Sequence, residues 1–379
     1  MSSSQAGLVQ SGWHAGYVVS LVAAGLLADR FGARRTFLAM SVAACATTLA
    51  FAAFSVDHLS ALALYSLAGV AAGGSYTPVL TLIAQRFPAV SRGRAMGWYI
   101  AAGSLSYGIG LAMSGPLVAW GGWRFSLYVA AFGTVVGTAM AFRLMRGIPD
   151  EPHVAEAQAP VLARVSEVVR NRPAMLVILA YTFHGWELLG LWAWLPAFLA
   201  VAVARGASVD GAMVGMGALL AGLAHFTSMA GSLWGGAWSD RFGRTAVMLG
   251  MAIASLACSL AFGWLLAAPL WVLVAVAVIF NLTAVGDSVV YSTAITEVVT
   301  PRILGTAYAI RSILGFGAGA LSAWLFGVVL DATRAAGYPE GTVWGLAWGT
   351  LALGALPGPI CAWLLRRHPA SAAMAGGRR

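Results

Sequence analysis

Five residues in otherwise apolar stretches of this 379-residue chain are of types that could transfer protons or bind an anion. His184 and Glu187 are three residues apart, so a helix would present both side chains on one face. Asp287 and Tyr291 belong to the polar stripe of a later apolar run, and Arg311 lies inside the run that follows it. A carboxyl group, an imidazole and a phenol can exchange protons, whereas a guanidinium receives carboxylate or phosphate. These residue types predict proton coupling and anion binding, with a structural His–Glu hydrogen bond as the alternative.

The positions of these residues along their runs predict that they lie deep in a membrane. At about 1.5 Å per residue from Pro173, His184 and Glu187 lie roughly 16 and 21 Å along a helix. Arg311 lies roughly 15 Å into its own run, close to the depth of Asp287. A charge at that depth is costly unless it is paired, protonated or hydrated. For Arg311 two interpretations stay open: an ion pair with Asp287, or reception of an anionic substrate.

The composition of the chain requires lipid around most of its surface. Hydrophobic residues make up 60% of the chain and charged residues 9%, and the mean hydropathy is +0.82. A water-facing surface of ordinary charge density cannot be built from so few charges. Runs of roughly 20 apolar residues cross the hydrocarbon layer as helices. The sequence contains eleven such runs, at 8–28, 36–55, 59–84, 95–119, 123–145, 173–200, 210–238, 245–267, 269–296, 303–330 and 342–365.

The arginines predict the orientation of these runs. All 22 basic residues are arginine. Eighteen of them lie in the gaps after the first, third, fifth, seventh and ninth runs or in the tail, three lie in the alternate gaps, and Arg311 is inside a run. Because basic loops stay in the cytoplasm, we expect the first set and the C-terminus on the cytoplasmic side of an inner membrane. The net charge of +9 is then a topology signal, and a nucleic-acid partner is not expected.

A short glycine- and arginine-rich motif between the first two runs returns 211 residues later. The first copy consists of Gly25, Asp29, Arg30, Gly32, Arg34 and Arg35. The second copy contains Gly236, Asp240, Arg241, Gly243 and Arg244. Gly32 suits a left-handed turn, and Asp29, at the C-terminal end of a helix, needs a positive partner because the helix dipole opposes its charge. A repeat of this length predicts two halves of related structure.

The motif, its second copy and the arginine-bearing central segment resemble the major facilitator superfamily of secondary transporters, over essentially the whole chain. The resemblance implies an all-α membrane protein of two pseudo-symmetric helical bundles. It also implies that Asp29 contacts the start of a helix in the other half, at 302–305, in an outward-open state, and that Asp240 faces 92–94 symmetrically. The alternative is that Arg34 and Arg35 only set the orientation.

The chain departs from the superfamily pattern at its front. That pattern has twelve helices with the motif after the second, whereas here the motif follows the first of eleven runs. We therefore expect the first family helix to be missing, through a misplaced start or a truncated sequence. The expected organisation is an N-terminal half with family helices 2 to 6, a cytoplasmic linker with a short surface helix near 161–169, a C-terminal half with helices 7 to 12, and a cytoplasmic tail. Their bounds are 1–145, 146–172, 173–366 and 367–379.

These observations favour a monomeric secondary active transporter of a small solute. One arginine and one histidine join two acids, so we favour a small organic or inorganic anion moved with protons by alternating access. An efflux carrier for a cationic or amphipathic compound, with Glu187 and Asp287 as receptors, is the alternative, and a channel or receptor is a third class. Without a phosphate loop, nucleophile set or metal-ligand spacing, no enzyme activity, cofactor or metal is expected. His225 is predicted to be a hydrogen-bonded packing residue.

Overall fold

The computed structural model describes residues 1–87, 89–150 and 160–377, and the regular structure in these ranges is helical. The side chains at positions 22, 26, 29, 84, 85, 89–97, 100 and 101 lie outside the description. The α-helices are α1 Ser3–Phe31, α2 Ala33–Phe54, α3 His58–Arg86, α4 Ala89–Leu144, α5 Val161–Arg170, α6 Arg172–Ala204, α7 Gly211–Phe242, α8 Arg244–Phe262, α9 Leu270–Val298, α10 Pro301–Ala335, α11 Glu340–Ala355 and α12 Pro357–Arg367. Helices of apolar residues are expected in lipid, because each backbone polar group must be satisfied within its own segment.

Each predicted run corresponds to helical structure, but two boundaries differ from the prediction: one helix contains two runs, and one run is split into two helices. α4 has 56 residues and contains two runs. A straight helix of that length would be about 84 Å long, far more than the roughly 30 Å of hydrocarbon. Gly122, with φ 77° and ψ 175°, breaks the helical backbone between the two runs. α4 is therefore two crossings joined at Gly122. The last run, conversely, is split into α11 and α12 just before Pro357.

Nine helices of the described part are long and apolar enough to cross a membrane. They include α4, counted once over 102–144, and the α11–α12 pair, counted once over 340–367. α1, which contains the first predicted run, is not among the nine. The predicted surface helix near 161–169 is present as α5, and residues 151–159 of the predicted linker lie outside the described residues.

The two copies of the motif have matching backbone geometry. Gly32 separates α1 from α2 with φ 93° and ψ 142°, and Gly243 separates α7 from α8 with φ 97° and ψ 146°. The positive φ confirms the prediction for Gly32, although the ψ values lie outside the left-handed helical region. The guanidinium of Arg30 lies 5.2 Å from the ring of Phe31, and that of Arg241 lies 5.2 Å from the next ring in the second copy. The repeat is therefore structural as well as sequential.

Two groups of helices precede and follow α5 along the chain. We call α1–α4 the N-terminal group and α6–α12 the C-terminal group. Within the first, α1 and α2 pack on α3; within the second, α6 and α9 pack on α7, and α6 also packs on α10 and α12. The core of the C-terminal group is aromatic, with Phe198, Phe262, Phe280, Trp344 and Trp348 almost completely buried. Between the groups, α1 packs on α10 and α4 packs on α7.

The two groups touch at the helix ends that lie away from the arginine-bearing loops. At this end of α1, a Cβ added to Gly7 would collide with the backbone of Ala323 in α10, and Gly115 of α4 lies directly against Gly215 of α7. At the other end, a Cβ on Gly305 of α10 would meet no described atom within 4 Å. Among the described residues, the contacts between the groups thus lie toward the helix ends away from the arginine-bearing loops. We call the space between the facing surfaces the cleft, the end with these contacts its closed side, and the end near the arginine-bearing loops its open side.

Candidate functional site

The histidine and the two carboxyl groups predicted from the sequence meet inside the C-terminal group. α6 carries His184 and Glu187 on one face, and α9 carries Asp287. His184 Nδ1 lies 3.0 Å from Asp287 Oδ1, which is ion-pair distance, although the alignment does not make a hydrogen bond. His184 Nε2 lies 2.7 Å from Ser288 Oγ. The imidazole is thus held between an acid and a hydroxyl of the same neighbouring helix.

Glu187 does not bond to His184; two serines of α8 bind its carboxylate instead. Ser255 Oγ donates to Glu187 Oε2 at 2.7 Å, and Ser259 Oγ donates to Oε1 at 2.5 Å. The two serines are one helical turn apart, so both face the same side of α8. The structural His–Glu hydrogen bond, which was the alternative to a role in proton coupling, is therefore not formed. Sequence reasoning missed the serines, although their spacing of four in an apolar run was a usable signal.

Tyr291 joins these residues, as the sequence predicted. It is completely buried, and its ring centroid lies 5.3 Å from that of His184. A cavity of about 10 Å³, about enough for one water molecule, separates the polar groups. It is lined by His184, Glu187, Ala252, Ser255, Asp287, Tyr291, Ala355, Gly358 and Pro359. The cluster therefore faces α8 and α12, inside the C-terminal group rather than on the surface between the groups.

Arg311 lies apart from this cluster, although the sequence predicts it at about the same depth as Asp287. Its Nη1 donates to Ser292 Oγ at 2.7 Å. Its guanidinium carbon lies 4.3 Å from the ring centroid of Tyr181 and 4.8 Å from that of Tyr308. Among the described side chains, no carboxylate oxygen lies within 4.0 Å of it, because Asp287 points toward α6 and is engaged by the imidazole there. The ion-pair interpretation of Arg311 is thus not supported by the described contacts.

Tyrosines of the N-terminal group face Arg311 across the cleft. Tyr17 of α1 contacts Phe316 of α10, with ring centroids 5.0 Å apart, and this pair closes the cleft at mid-membrane. Tyr76 of α3 lies 6.4 Å from Tyr17 and 5.9 Å from Tyr99 of α4, centroid to centroid. Tyr76 also lies within electrostatic range of Arg311. Sequence analysis did not select these tyrosines, since they are spread over separate helices.

The first copy of the gating motif is held by an acid that was not predicted. The carboxylate of Asp150 accepts hydrogen bonds from the backbone N–H of Arg34 at 2.9 Å and of Arg35 at 3.1 Å, at the start of α2. The side chain of Asp29 lies outside the described residues, so its predicted contact with 302–305 stays a prediction. Arg302 pairs with Glu167 of α5 at 2.6 Å.

The second copy forms an ion-pair network within the C-terminal group. Arg244 pairs with Asp240 one turn earlier, and its Nη2 lies 3.1 Å from Glu297 Oε1 at the end of α9. The predicted partners of Asp240 at 92–94 have side chains outside the described residues. This network links the α7–α8 loop to the α9–α10 loop on the open side of the cleft.

The closed side of the cleft has a polar contact between the groups. The carboxylate of Asp331, at the end of α10, accepts hydrogen bonds from the backbone N–H groups of Ser3 at 2.9 Å and Ser4 at 2.7 Å. These N–H groups begin α1 and have no partner within their own helix. A carboxylate of one group therefore caps a helix of the other. Sequence analysis missed this contact because the two ends are 327 or more positions apart.

His225 takes part in the second contact between the groups. It is almost completely buried, with Tyr107 of α4 and Trp192 of α6 at centroid distances of 4.8 and 5.0 Å. Neither ring nitrogen has a hydrogen-bond partner of normal geometry among the described residues. The packing role predicted for His225 is therefore observed, without the hydrogen bond that was expected.

Comparison with known proteins identifies relatives among membrane carriers. The family model described as Major Facilitator Superfamily matches residues 1–230. Probable anion transporter 4 of Arabidopsis thaliana chloroplasts is 25% identical over 219 residues, 52% of this chain and 41% of that protein. A quinolone resistance transporter of Acinetobacter baumannii is 36% identical over 102 residues, 27% of this chain and 22% of that protein. The chain spans less than half the length of these curated relatives.

The fold also matches a solved transporter. The crystal structure of the nucleoside transporter NupG superimposes with a TM-score of 0.76 at 15% identity, covering 97% of this chain and 91% of that one. At this identity the match shows the fold alone. It confirms the all-helical fold expected from the apolar runs. Because the family model matches more than half of the chain, the chain belongs to the major facilitator superfamily and is a multi-pass membrane protein.

Proposed function

We propose that this transporter carries a small organic anion together with protons, by alternating access between the N-terminal and C-terminal groups. The observation that carries the proposal is Arg311. It is a permanently charged group on the cleft surface, at about 15 Å depth, with no carboxylate partner among the described side chains. A cation in this position requires an anion to neutralise it. The substrate is the group that would supply that charge.

The buried cluster supplies the proton-binding part of the proposal. Glu187 and Asp287 both lie in the interior of the C-terminal group, and His184 touches Asp287. A charged carboxylate in this interior is costly, so the charge of each acid must be balanced by a neighbour or by a bound proton. Tyr181 lies between the two regions, with its ring 5.5 Å from His184 and 4.3 Å from the guanidinium of Arg311. A change of charge at His184 or at Arg311 would therefore act on the Tyr181 ring and, through it, on the other residue.

The orientation follows from the arginines. If the arginine-bearing loops are cytoplasmic, the cleft is open to the cytoplasm and the Asp331 contact closes the outer side. A cysteine at Ala207 should then react with impermeant thiol reagents in intact cells, while one at Arg35 should not. The opposite labelling pattern would overturn this orientation.

The names of the relatives bear on the substrate in two directions. The similarity to a probable anion transporter favours the anion proposal, and the similarity to a quinolone resistance transporter favours efflux of an amphipathic compound. Efflux of a cation would need acids on the cleft surface. Glu187 and Asp287 are buried and engaged by serine hydroxyls and an imidazole instead, which favours the anion.

The test uses the purified chain and a panel of ions. Thermal stability in detergent would be measured with acetate, benzoate, inorganic phosphate and the lipophilic cation tetraphenylphosphonium. We expect stabilisation by at least one anion, loss of that effect in Arg311→Ala, and its retention in the surface control Arg170→Ala. Stabilisation by the cation alone, or by an anion that still acts fully on Arg311→Ala, would overturn the proposal.

Proton coupling is tested separately in proteoliposomes with an imposed pH gradient. Glu187→Gln fixes the neutral form, so gradient-driven accumulation of the binding anion should fail while anion exchange continues. The matched surface variant Glu167→Gln should accumulate normally. Full accumulation by Glu187→Gln would remove Glu187 from the proton-coupling role. Counterflow exchange in the same vesicles would distinguish a carrier from a channel.

A further inference from the structure

The cleft around Arg311 is built from tyrosines to an unusual degree. The chain has ten tyrosines, and five of them come together here. Each of the five comes from a different helix: Tyr17 from α1, Tyr76 from α3, Tyr99 from α4, Tyr181 from α6 and Tyr308 from α10. Three belong to the N-terminal group and two to the C-terminal group. The rings therefore line both walls of the cleft.

The guanidinium of Arg311 contacts two of these rings. Tyr181 and Tyr308 lie 4.3 and 4.8 Å from its central carbon, and the Tyr308 hydroxyl donates to the carbonyl oxygen of Ser292 at 2.8 Å. The Nη1 atom is used by Ser292, whereas Nε is buried and has no hydrogen-bond partner among the described residues. An unpartnered buried donor is costly. The Nε edge of a guanidinium is one that a planar carboxylate can satisfy with two parallel hydrogen bonds.

The charge of the cleft limits the charge of its ligand. Arg311 is the one arginine deep inside an apolar run, since Arg124 and Arg143 lie within two residues of the ends of the run 123–145, and the five runs of the N-terminal group contain no acid or lysine. A dianion such as phosphate or a dicarboxylate would leave a net negative charge in the membrane, where it is costly. One cation matches one negative charge, so the cleft is suited to a monoanion.

We infer that the transported anion is an aromatic monocarboxylate, whose carboxylate pairs with Arg311 and whose ring packs among the tyrosines. This inference rests on the proposed anion function of the same site. Aromatic rings attract one another through offset and edge-to-face contacts, beyond the effect of buried area. Tyrosine hydroxyls add hydrogen-bonding groups for substituents on the ring. An aliphatic acid would fill less of this surface and gain none of the ring contacts.

The experiment compares two acids that differ in aromaticity and share their carboxylate. Benzoate and cyclohexanecarboxylate would be titrated against the purified full chain by thermal shift and by inhibition of counterflow, with inorganic phosphate as a third probe. We expect benzoate to bind roughly tenfold more tightly than its saturated partner, the effect of one or two ring contacts. This comparison needs no variant, so it does not depend on how a variant folds.

Variants then assign the preference to the tyrosines. Tyr76→Leu should reduce the benzoate preference severalfold, Tyr76→Phe should keep it, and Tyr128→Leu, at a position outside the five, should leave it unchanged. Equal binding of benzoate and cyclohexanecarboxylate, or binding of phosphate alone, would overturn the aromatic inference while leaving an Arg311-dependent anion carrier. Absence of all anion binding would overturn the proposed function as well. A preference that survives Tyr76→Leu undiminished would contradict the role of this ring.

Discussion

The two helix groups differ in packing and in where they carry titratable residues. In the spans of the C-terminal group, 39–61% of the most apolar 18 residues are buried; among the described spans of the N-terminal group, α3 reaches 44%, but α2 has only 17% and the 102–144 part of α4 only 11%. The sequence places both acids of 1–145, Asp29 and Asp57, between apolar runs, whereas Glu187 and Asp287 lie inside theirs. A buried carboxylate needs partners held at fixed distances. Dense packing and buried acids therefore occur in the same group, because dense packing holds the partners of the acids at fixed distances.

The difference also separates two tasks. The N-terminal group presents tyrosine rings and hydroxyls to the cleft, and its surface can change partners without leaving a charge unpaired. The C-terminal group supplies both the cation of the cleft and the acids behind it. Under the proposed function, substrate recognition is shared between the groups, while proton binding belongs to one of them.

The largest expected effect is on the acids of the C-terminal group. Asp287→Ala leaves His184 without its ion-pair partner and should lower the unfolding free energy by about 3 kcal/mol or more. The matched change in the N-terminal group is His14→Ala, which removes one buried imidazole bonded to the carbonyl oxygen of Gln10. Its hydrogen bond is worth about 1 kcal/mol. Unfolding in detergent measures the stability of both variants. Equal losses of unfolding free energy would show that the two groups do not differ in this respect.

Substitutions of buried leucines should also cost more unfolding free energy in the C-terminal group than in the N-terminal group, but the difference should be smaller than for the acids. Leu351 of α11 is completely buried, whereas Leu38 of α2 is 6% exposed in a helix with few buried neighbours. Leu351→Ala should cost about 2–3 kcal/mol, the lower part of the range for soluble cores, because lipid offers no hydrophobic gain. Leu38→Ala should cost less, since lipid can fill the space. A larger loss at Leu38 would show that exposure does not measure packing here.

The contact between the groups is tested at Asp331. Asp331→Ala removes a carboxylate that accepts two backbone hydrogen bonds, each typically worth about 1.5–3 kcal/mol when one partner is charged. A change of about 2 kcal/mol would shift the population roughly thirtyfold toward a state that is open on this side. Spin labels at Ser2 and Ala336 would report a longer distance across the closed side. Asp57→Asn, which changes a helix cap within the N-terminal group, should leave that distance unchanged. An unchanged distance in Asp331→Ala would contradict the role of this contact in holding the groups together.

The smallest expected difference between the groups concerns the two motif glycines, whose substitution should reduce stability by similar amounts in both groups. Gly32 and Gly243 have nearly the same positive φ, so alanine at either position should cost about 1–2 kcal/mol in backbone strain. Gly32→Ala should cost somewhat more, because its Cβ would also collide with the carboxylate of Asp150. Thermal unfolding of the two variants measures this pair. A negligible effect at one glycine alone would show that the repeat is not energetically equivalent.

The sequence alone determined the helices, the membrane and the repeat. In lipid, a long apolar run satisfies its backbone polar groups by forming a helix. Glycine at 32 and 243 marks positions where the backbone has a positive φ. It also identified His184, Glu187 and Asp287, because ionisable residues are rare and conspicuous in such runs. Partners without charge, such as Ser255 and Ser259, give a weaker signal through their spacing, because serine is tolerated in many membrane helices.

Only the tertiary structure decided which of these residues meet. The rotation of α6 turns Glu187 toward α8 and away from the cleft, and the rotation of α10 puts Arg311 over tyrosine rings instead of beside Asp287. Depth along a helix can be counted from the sequence, but the direction in which a side chain points depends on how neighbouring helices pack. That is why the sequence placed four residues at one level of the membrane, and the packing divided them between a buried acid cluster and an open cleft.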